Sequence, residues 1–257
     1  MSTEIFCGYG PVDAYLADGF ERVPGMSSRF SAAICARVLR RQAEAGFKGP
    51  VVEIGTFEGR FLVAMALALE PGERAYGFDT FDWPDEQVEE RFLANCRANG
   101  VGPERVAAVR RDSRNIAPIE LRNATDGKPV RFLHIDGDHS PETVASDLAL
   151  AQSVLSPQGV IAIDDVLHPE FPFLVVAVHQ HLRAHPDMRL MCVIDREDIV
   201  AAAKFLLCRA DAVALYEQDL MTRFAAYHYI MGGDALGHLC VVLTPKPRIF
   251  RLERARE

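Results

Sequence analysis

Between residues 51 and 165 the chain alternates short apolar runs with stretches whose apolar positions recur every three or four residues. VVEIG (51–55), AYGFD (75–79), VAAVR (106–110), RFLHID (131–136) and VIAIDD (160–165) are runs that each end in a polar residue or glycine. A strand that is apolar at successive positions is covered on both faces, so these runs predict a parallel sheet with helices on either side. FLVAMALALE (61–70) is apolar nearly all round and predicts a buried helix stopped by Pro71-Gly72. EQVEERFLANCRAN (86–99) predicts a second helix, closed by Gly100. A third opens with Ser140 as N-cap, Pro141 at the first helical position and Glu142 in the first turn. It keeps Val144, Leu148, Ala151 and Leu155 on one face up to an SPQG stop.

Strand and helix in regular succession predict right-handed crossovers and a doubly wound α/β sheet. Ligands of such sheets sit beyond the carboxyl ends of the strands, where strand order reverses, so the residues that close each run are the place to look for chemistry. Before the core, Ser27 to Gly46 predicts a helix preceded by a looser segment. After it come a helix from Glu170 to His185, strands at RLMCVID (189–195) and KFLLCR (204–209), and a helix from Asp211. In that helix Val213, Tyr216, Leu220, Phe224 and Tyr227 repeat at helical spacing, and HLCVVLT (238–244) predicts a last strand. Neither an internal repeat nor a low-complexity linker interrupts the chain.

Composition narrows the class. At 257 residues, 49% hydrophobic and 25% charged, the chain has material for a sizeable core and is no disordered or fibrous protein. The length alone, about 1.7 times an average domain, allows one large domain or two small ones. No window approaches the ~18 apolar residues of a membrane span, and the start, MSTEIFCGYG, has no leader character, so a cytoplasmic enzyme without membrane or nucleic-acid partners is expected. The net charge of −8 argues in the same direction against nucleic acid. Short basic clusters at Arg37, Arg40 and Arg41, at Arg110, Arg111 and Arg114, and in a tail from Lys246 to Arg256 read as solvated faces. Six scattered cysteines without a CxxC pair read as reduced core residues.

Four segments carry candidate chemistry. Glu53-Ile-Gly55-Thr56-Phe-Glu-Gly59 follows a strand and precedes a helix. Glycine at 55 and 59 clears a strand-to-helix turn for a ligand, and the Glu53 carboxylate can anchor a cation or hydroxyl. The spacing is neither GxGxxG nor a P-loop. Asp79 closes the second run, where an acid can accept both hydroxyls of a ribose or serve as a turn residue. Asp112-Ser113 offers a carboxylate and a hydroxyl to an exocyclic amine or ring nitrogen. Finally His134-Ile-Asp136-Gly137-Asp138-His139-Ser140 and Asp164-Asp165 bring carboxylates to the ends of two neighbouring strands. Asp136, Asp164 and Asp165 form a hard-oxygen set that suits Mg²⁺, Ca²⁺ or Mn²⁺, and a cation is the simplest means of keeping such a cluster charged. Asp138 or Ser140 also reads as a helix cap. His139 is the candidate general base, with His168 a weaker competitor, while His134 inside its strand reads as structural.

At these residues the sequence resembles a class I S-adenosylmethionine-dependent methyltransferase. EIGTFEG is similar to the first motif of that superfamily, Asp79 to its ribose-binding acid, Asp112-Ser113 to its adenine-side pair and LSPQGVIAIDD to its fifth-strand segment. IDGDHSPETVASDLALAQSVLSPQGVIAIDD resembles more narrowly the branch of small-molecule and sugar O-methyltransferases, and the resemblance spans about residues 50 to 200. It implies a Rossmann-like doubly wound sheet, mostly parallel with an antiparallel strand near the C-terminal end, and helices on both faces. It implies a helical N-terminal cap (1–48), a methyltransferase core (49–209) and a C-terminal helix-and-strand extension (210–257) within a single domain. Glu53, Gly55, Thr56, Gly59, Asp79, Asp112, Ser113 and Asp136 would then bind S-adenosyl-L-methionine. Asp136, Asp164 and Asp165 would hold a divalent cation, Mg²⁺ first, and His139 or Asp136 would act in catalysis on the hydroxyl of a small-molecule acceptor. A metal-free N- or C-methyltransferase, a metal-dependent hydroxylase and a non-catalytic cofactor-binding protein stay open as alternatives. Selectivity is expected in the first 30 residues, in Phe81-Asp82-Trp83-Pro84, and around His168 and Phe171 to Phe173. The C-terminal helix with Tyr216, Phe224 and Tyr227 covers the sheet edge, forms a homo-oligomer contact, or does both.

Overall fold

A computed structural model of the chain describes residues 6–229 and 236–245, the side chains of His228 and Tyr229 excepted; the basic tail from Lys246 lies outside them. Among the described residues nine strands form one sheet, in the order β3-β2-β1-β4-β5-β7-β6-β9-β8. They are β1 (Val51–Ile54), β2 (Ala75–Asp79), β3 (Val106–Arg110), β4 (Val130–Ile135), β5 (Leu155–Val166), β6 (Met188–Ile194), β7 (Ala203–Arg209), β8 (His228–Tyr229) and β9 (Val241–Leu243). The first five are parallel, β7 runs antiparallel between β5 and β6, and β8 runs antiparallel to β9. β1, β2 and β3 step outward in one direction and the chain then crosses back to lay β4 on the other side of β1. This is the reversal of strand order that opens a crevice at the carboxyl ends of β1 and β4.

Both faces are covered, as continuous apolar runs require. On one face α1 (Gly10–Ala14), α2 (Arg29–Glu44), α3 (Arg60–Leu67), α4 (Val88–Ala98) and α8 (Val213–Arg223) bury residues such as Phe30, Ile34, Leu62, Phe92 and Tyr216. On the other, α5 (Pro118–Ala124), α6 (Pro141–Val154) and α7 (Phe173–Ala184) bury Leu121, Leu148 and Val178. α2 starts where Ser28 accepts the Ser31 N–H (2.9 Å). All six cysteines are buried, and none forms a disulfide among the described residues. Among the described residues no helix is long and apolar enough to cross a membrane.

Several boundaries differ from the sequence pattern for physical reasons. α6 ends at Val154, and Leu155 begins β5 instead of closing the helix face. Leu155 pairs with Val130, and the register then shifts before Val160 pairs with Phe132, so SPQG is a bulge inside a strand and not a stop before one. Pro157 cannot donate to the ladder there. Phe224 and Tyr227 continue the helical spacing beyond α8 but sit in the following turn, Phe224 buried and Tyr227 against the Phe30 ring. Their periodicity reported burial, not helix. The short α5 escaped the pattern; Pro118 opens it, and the Glu120 carboxylate accepts the Ala117 N–H (3.0 Å).

The first two basic clusters are not simply solvated faces. Arg37 bonds Asp219 and Glu44, Arg40 bonds Glu70 and the Ala68 carbonyl, and Arg41 bonds the Leu215 carbonyl, so the α2 arginines tie that helix to its neighbours. Arg110 likewise bonds Glu89 and the carbonyls of Thr80 and Phe81, holding the loop after β2.

Candidate active site

The turn after β1 is held by close packing. Gly55 is left-handed (φ 82°), and a Cβ on it would overlap the Asp136 carbonyl at the end of β4. Gly59 (φ 86°) leaves the space that the Phe92 ring fills. The glycine spacing thus lets two strand ends and α4 approach one another. Asp79 completes the turn: its Oδ2 accepts the N–H groups of Thr56 and Phe57 (2.8 Å each), and its Oδ1 accepts that of Phe81 (2.8 Å).

Beyond the strand ends lies a cavity of about 750 Å³. Of the residues singled out in the sequence, Glu53, Gly55, Thr56, Asp79, Asp112, Ser113, Asp136, Asp138, His139, Asp164, Asp165 and His168 line it, whereas Gly59 does not. At one end Arg114 engages the Asp112 carboxylate (Nη2 to Oδ2, 2.6 Å), and Ser113 donates to Asp147 Oδ2 (3.2 Å) on α6. Asp147 is fully buried with its Oδ1 unpartnered. Ser140 caps α6, and Asp138 accepts from Ser140 and Thr143 (2.7 and 2.8 Å), so Asp138 belongs to the helix cap. His168 Nδ1 accepts the Glu170 N–H (3.1 Å). Trp83, 65% exposed, tilts over Phe57 at the mouth (centroids 5.4 Å apart).

The floor of the cavity contains a residue the sequence reading missed. Lys204 on β7 is fully buried beneath the ends of β4 and β5. Its ammonium donates to Asp164 Oδ2, to His134 Nε2 (3.0 Å) and to Ser27 Oγ (3.3 Å), which uses all three of its protons. His134 then has Nδ1–H to donate to Glu53 Oε1 (2.9 Å), and burial, with Lys204 beside it, holds its pKa well below the usual range, so the ring is neutral. Burial, helped by Asp136, drives the Glu53 carboxyl well above its usual range, and its Oε2 has no partner. The sequence signal was the lysine that heads the apolar run KFLLCR (204–209), which was read only as a strand.

Above this floor His139 Nε2 meets Asp165 Oδ2 at 2.6 Å, and the ring stacks on Phe171 (centroids 4.1 Å apart, planes 8° apart). Burial pulls the His139 pKa down, but the Asp165 hydrogen bond and the charges of Asp165, Asp136 and Asp138 outweigh it, and the net shift is upward. The Asp136 side chain makes no hydrogen bond among the described residues. Burial first, and Asp165 after it, raise its pKa to about 7 against the opposing pull of Lys204.

The cavity suits a nucleoside-bearing cation. Glu53 Oε2 and Thr56 Oγ1 are buried polar atoms without partners at the glycine turn, and Ser113 and Asp147 stand at the far end. A divalent cation fits less well. Ligand atoms of His134, Asp136 and Asp164, and of Asp136, His139 and Asp165, lie within 4.8 Å of one another. Yet Asp164 and His134 are bonded to Lys204. The 2.6 Å between His139 and Asp165 is a hydrogen bond, shorter than the roughly 3 Å between adjacent ligands of an octahedral Mg²⁺. As arranged, these residues do not fit a divalent ion. The positive charge that the sequence reading assigned to a metal is supplied by Lys204.

Residues 52–166 match the sequence model of a family described as a methyltransferase domain. No curated protein matches the chain. Its fold is similar to that of the O-methyltransferase TomG from Streptomyces achromogenes, solved with S-adenosylmethionine (21% identity, 78% of this chain and 90% of that one, TM-score 0.54). It is similar also to the O-methyltransferase from Bacillus cereus in complex with S-adenosylhomocysteine (14% identity, 77% and 90%, TM-score 0.56). The O-methyltransferase NovP shares it too (16% identity, 70% and 79%, TM-score 0.55). Residues 52–166 thus carry the sequence signature of a methyltransferase domain, and they lie on a strand order shared with these solved O-methyltransferases.

Proposed function

We propose that the chain methylates a hydroxyl of a small molecule, with His139 as the base and Asp165 as the residue that orients it. The observation that carries this reading is the His139–Asp165 pair, bonded at 2.6 Å on the wall of the cavity that also contains the glycine turn. Bound S-adenosylmethionine supplies a methyl group on a sulfonium, which is already an excellent leaving group. The protein's own task is therefore to place an acceptor oxygen and remove its proton.

With Asp165 accepting from Nε2–H, the other ring nitrogen, Nδ1, is the acceptor of the neutral imidazole. Stacking on Phe171 fixes the plane of the ring. The hydroxyl proton moves to Nδ1, the proton on Nε2 stays with Asp165, and Asp136 beside the pair favours the resulting imidazolium. Glu53, Gly55 and Thr56 would hold the methionine part of the cofactor, Asp79 the ribose through lone pairs its backbone bonds leave open, and Ser113 with Asp112 the adenine end. Asp136, Asp164 and Asp165 would receive a Mg²⁺ ion only after Lys204 and His139 gave up their bonds, so this reading runs through side chains alone.

Incubation of the purified chain with S-adenosylmethionine carrying a deuterated methyl group, together with phenols, catechols and glycosides, tests it. Labelled methyl ether and S-adenosylhomocysteine are expected, with both lost in His139→Ala. Label appearing only in amines, or unchanged turnover in His139→Ala, refutes it.

A further inference from the structure

Lys204 stands where a cation is needed and leaves no room for another. Asp136, Asp164 and Asp165 come from the ends of two neighbouring strands, and Glu53 lies one strand further on. Three or four carboxyl groups so placed repel one another unless positive charge is supplied. Lys204 supplies it from β7, the antiparallel strand beside β5. Its ammonium is bonded to Asp164, His134 and Ser27, and the Phe61 ring centroid lies 4.9 Å from it. The carboxylates of Glu53 and Asp136 both act on it, countering the burial that lowers its pKa.

We propose that Lys204 replaces a divalent cation in this site, so that the chain binds no metal there and acts without one. The proposal rests on the reading of the cavity as a methyl-transfer site. In it Lys204 is a positioning residue: with all its protons committed, it touches no acceptor, but it holds the Asp164 carboxyl in place and denies a dication its ligand. An ammonium at hydrogen-bond distance from Asp164 would face a bound Mg²⁺ across a single oxygen, and like charges that close in a buried site exclude each other. Removing the ammonium while keeping the volume should therefore convert the cluster into a metal site.

The test titrates Mn²⁺ into the full chain and follows the loss of its free paramagnetic resonance signal, first in the wild type and then in Lys204→Met. The wild type is expected to leave the signal unchanged and to retain full turnover after dialysis against a chelator. Lys204→Met is expected to bind Mn²⁺ at least tenfold more tightly, and to lose that gain when Asp164→Asn is added. S-adenosylhomocysteine affinity, measured alongside, should stay within about threefold. Wild-type Mn²⁺ binding that Asp164→Asn abolishes, or turnover lost to chelator and restored by Mg²⁺, overturns the proposal, as does a folded Lys204→Met that binds no Mn²⁺. Lys204→Gln gives the same reading should the Met variant fail to fold. The metal titration needs no acceptor, so its outcome is separate from whether hydroxyls are methylated.

Discussion

The carbonyl of Asp136 lies where the Cβ of any residue other than glycine at position 55 would stand. Two strand ends meet there, and both carry residues of the cavity, so the packing of β1 against β4 and the shape of the site are one constraint. Gly55→Ala combines a left-handed backbone with an overlap against main chain that no rotamer can relieve. A loss of about 3 kcal/mol or more in denaturant unfolding is expected, with S-adenosylhomocysteine binding lost. A variant of unchanged midpoint would show that the turn relaxes freely.

Glu53 separates binding from stability. Burial holds its carboxyl above the usual range, and Glu53→Gln mimics the protonated form. The melting temperature should therefore change little. The unpartnered Oε2 is the atom available to a cationic amino group, and the amide cannot become negative. Calorimetry should find cofactor affinity about 10- to 100-fold weaker, on the order of 1.4–2.7 kcal/mol. Unchanged affinity would place the amino group elsewhere.

His139 and Asp165 should act on turnover and not on cofactor binding. His139→Ala should lower kcat by about 10²- to 10⁴-fold, the range of a positioned base. Asp165→Asn, which keeps the ring and an acceptor oxygen but removes the negative charge that favours the imidazolium, should have a smaller effect. Cofactor affinity within about threefold of wild type in both variants is the accompanying check. A parallel loss of affinity would make the pair a structural support for the cofactor pocket.

Asp147 makes stability depend on pH. Burial, aided by Asp112 and Asp138, outweighs its hydrogen bond from Ser113 and raises its pKa from 3.8 to about 6. Its folded pKa lies above the unfolded one, so the fold binds the proton more tightly. This group's contribution is therefore fully present below about pH 4, falls between about pH 4 and pH 6, and is lost above. Asp147→Asn removes that dependence. The stability of the variant relative to wild type should rise from pH 4 to pH 7 by on the order of 2–3 kcal/mol. Parallel unfolding curves for the two proteins across that range would count against a buried, strained carboxylate.

Local pattern was enough to identify the first five strands, because a strand covered on both faces must be apolar at nearly every position. It was enough as well to mark Ser140 and Pro141 as the start of α6, since capping depends only on the neighbouring backbone. The same logic placed Asp79, Asp112, Asp136, Asp164 and Asp165 at strand ends, and all of them line one cavity. What those residues bond to was settled by elements far away in the chain. Lys204 is 40 residues from Asp164 and 70 from His134, and only the antiparallel insertion of β7 beside β5 brings them together. His139 reaches Asp165 because α6 intervenes between two adjacent strands, and Gly55 owes its necessity to a carbonyl on β4. Residue type and periodicity are local properties, so the sequence by itself determined which positions are strands, helices and polar ends. Charge balance and hydrogen-bond partnership depend on distances across the sheet, and those only the tertiary structure decided.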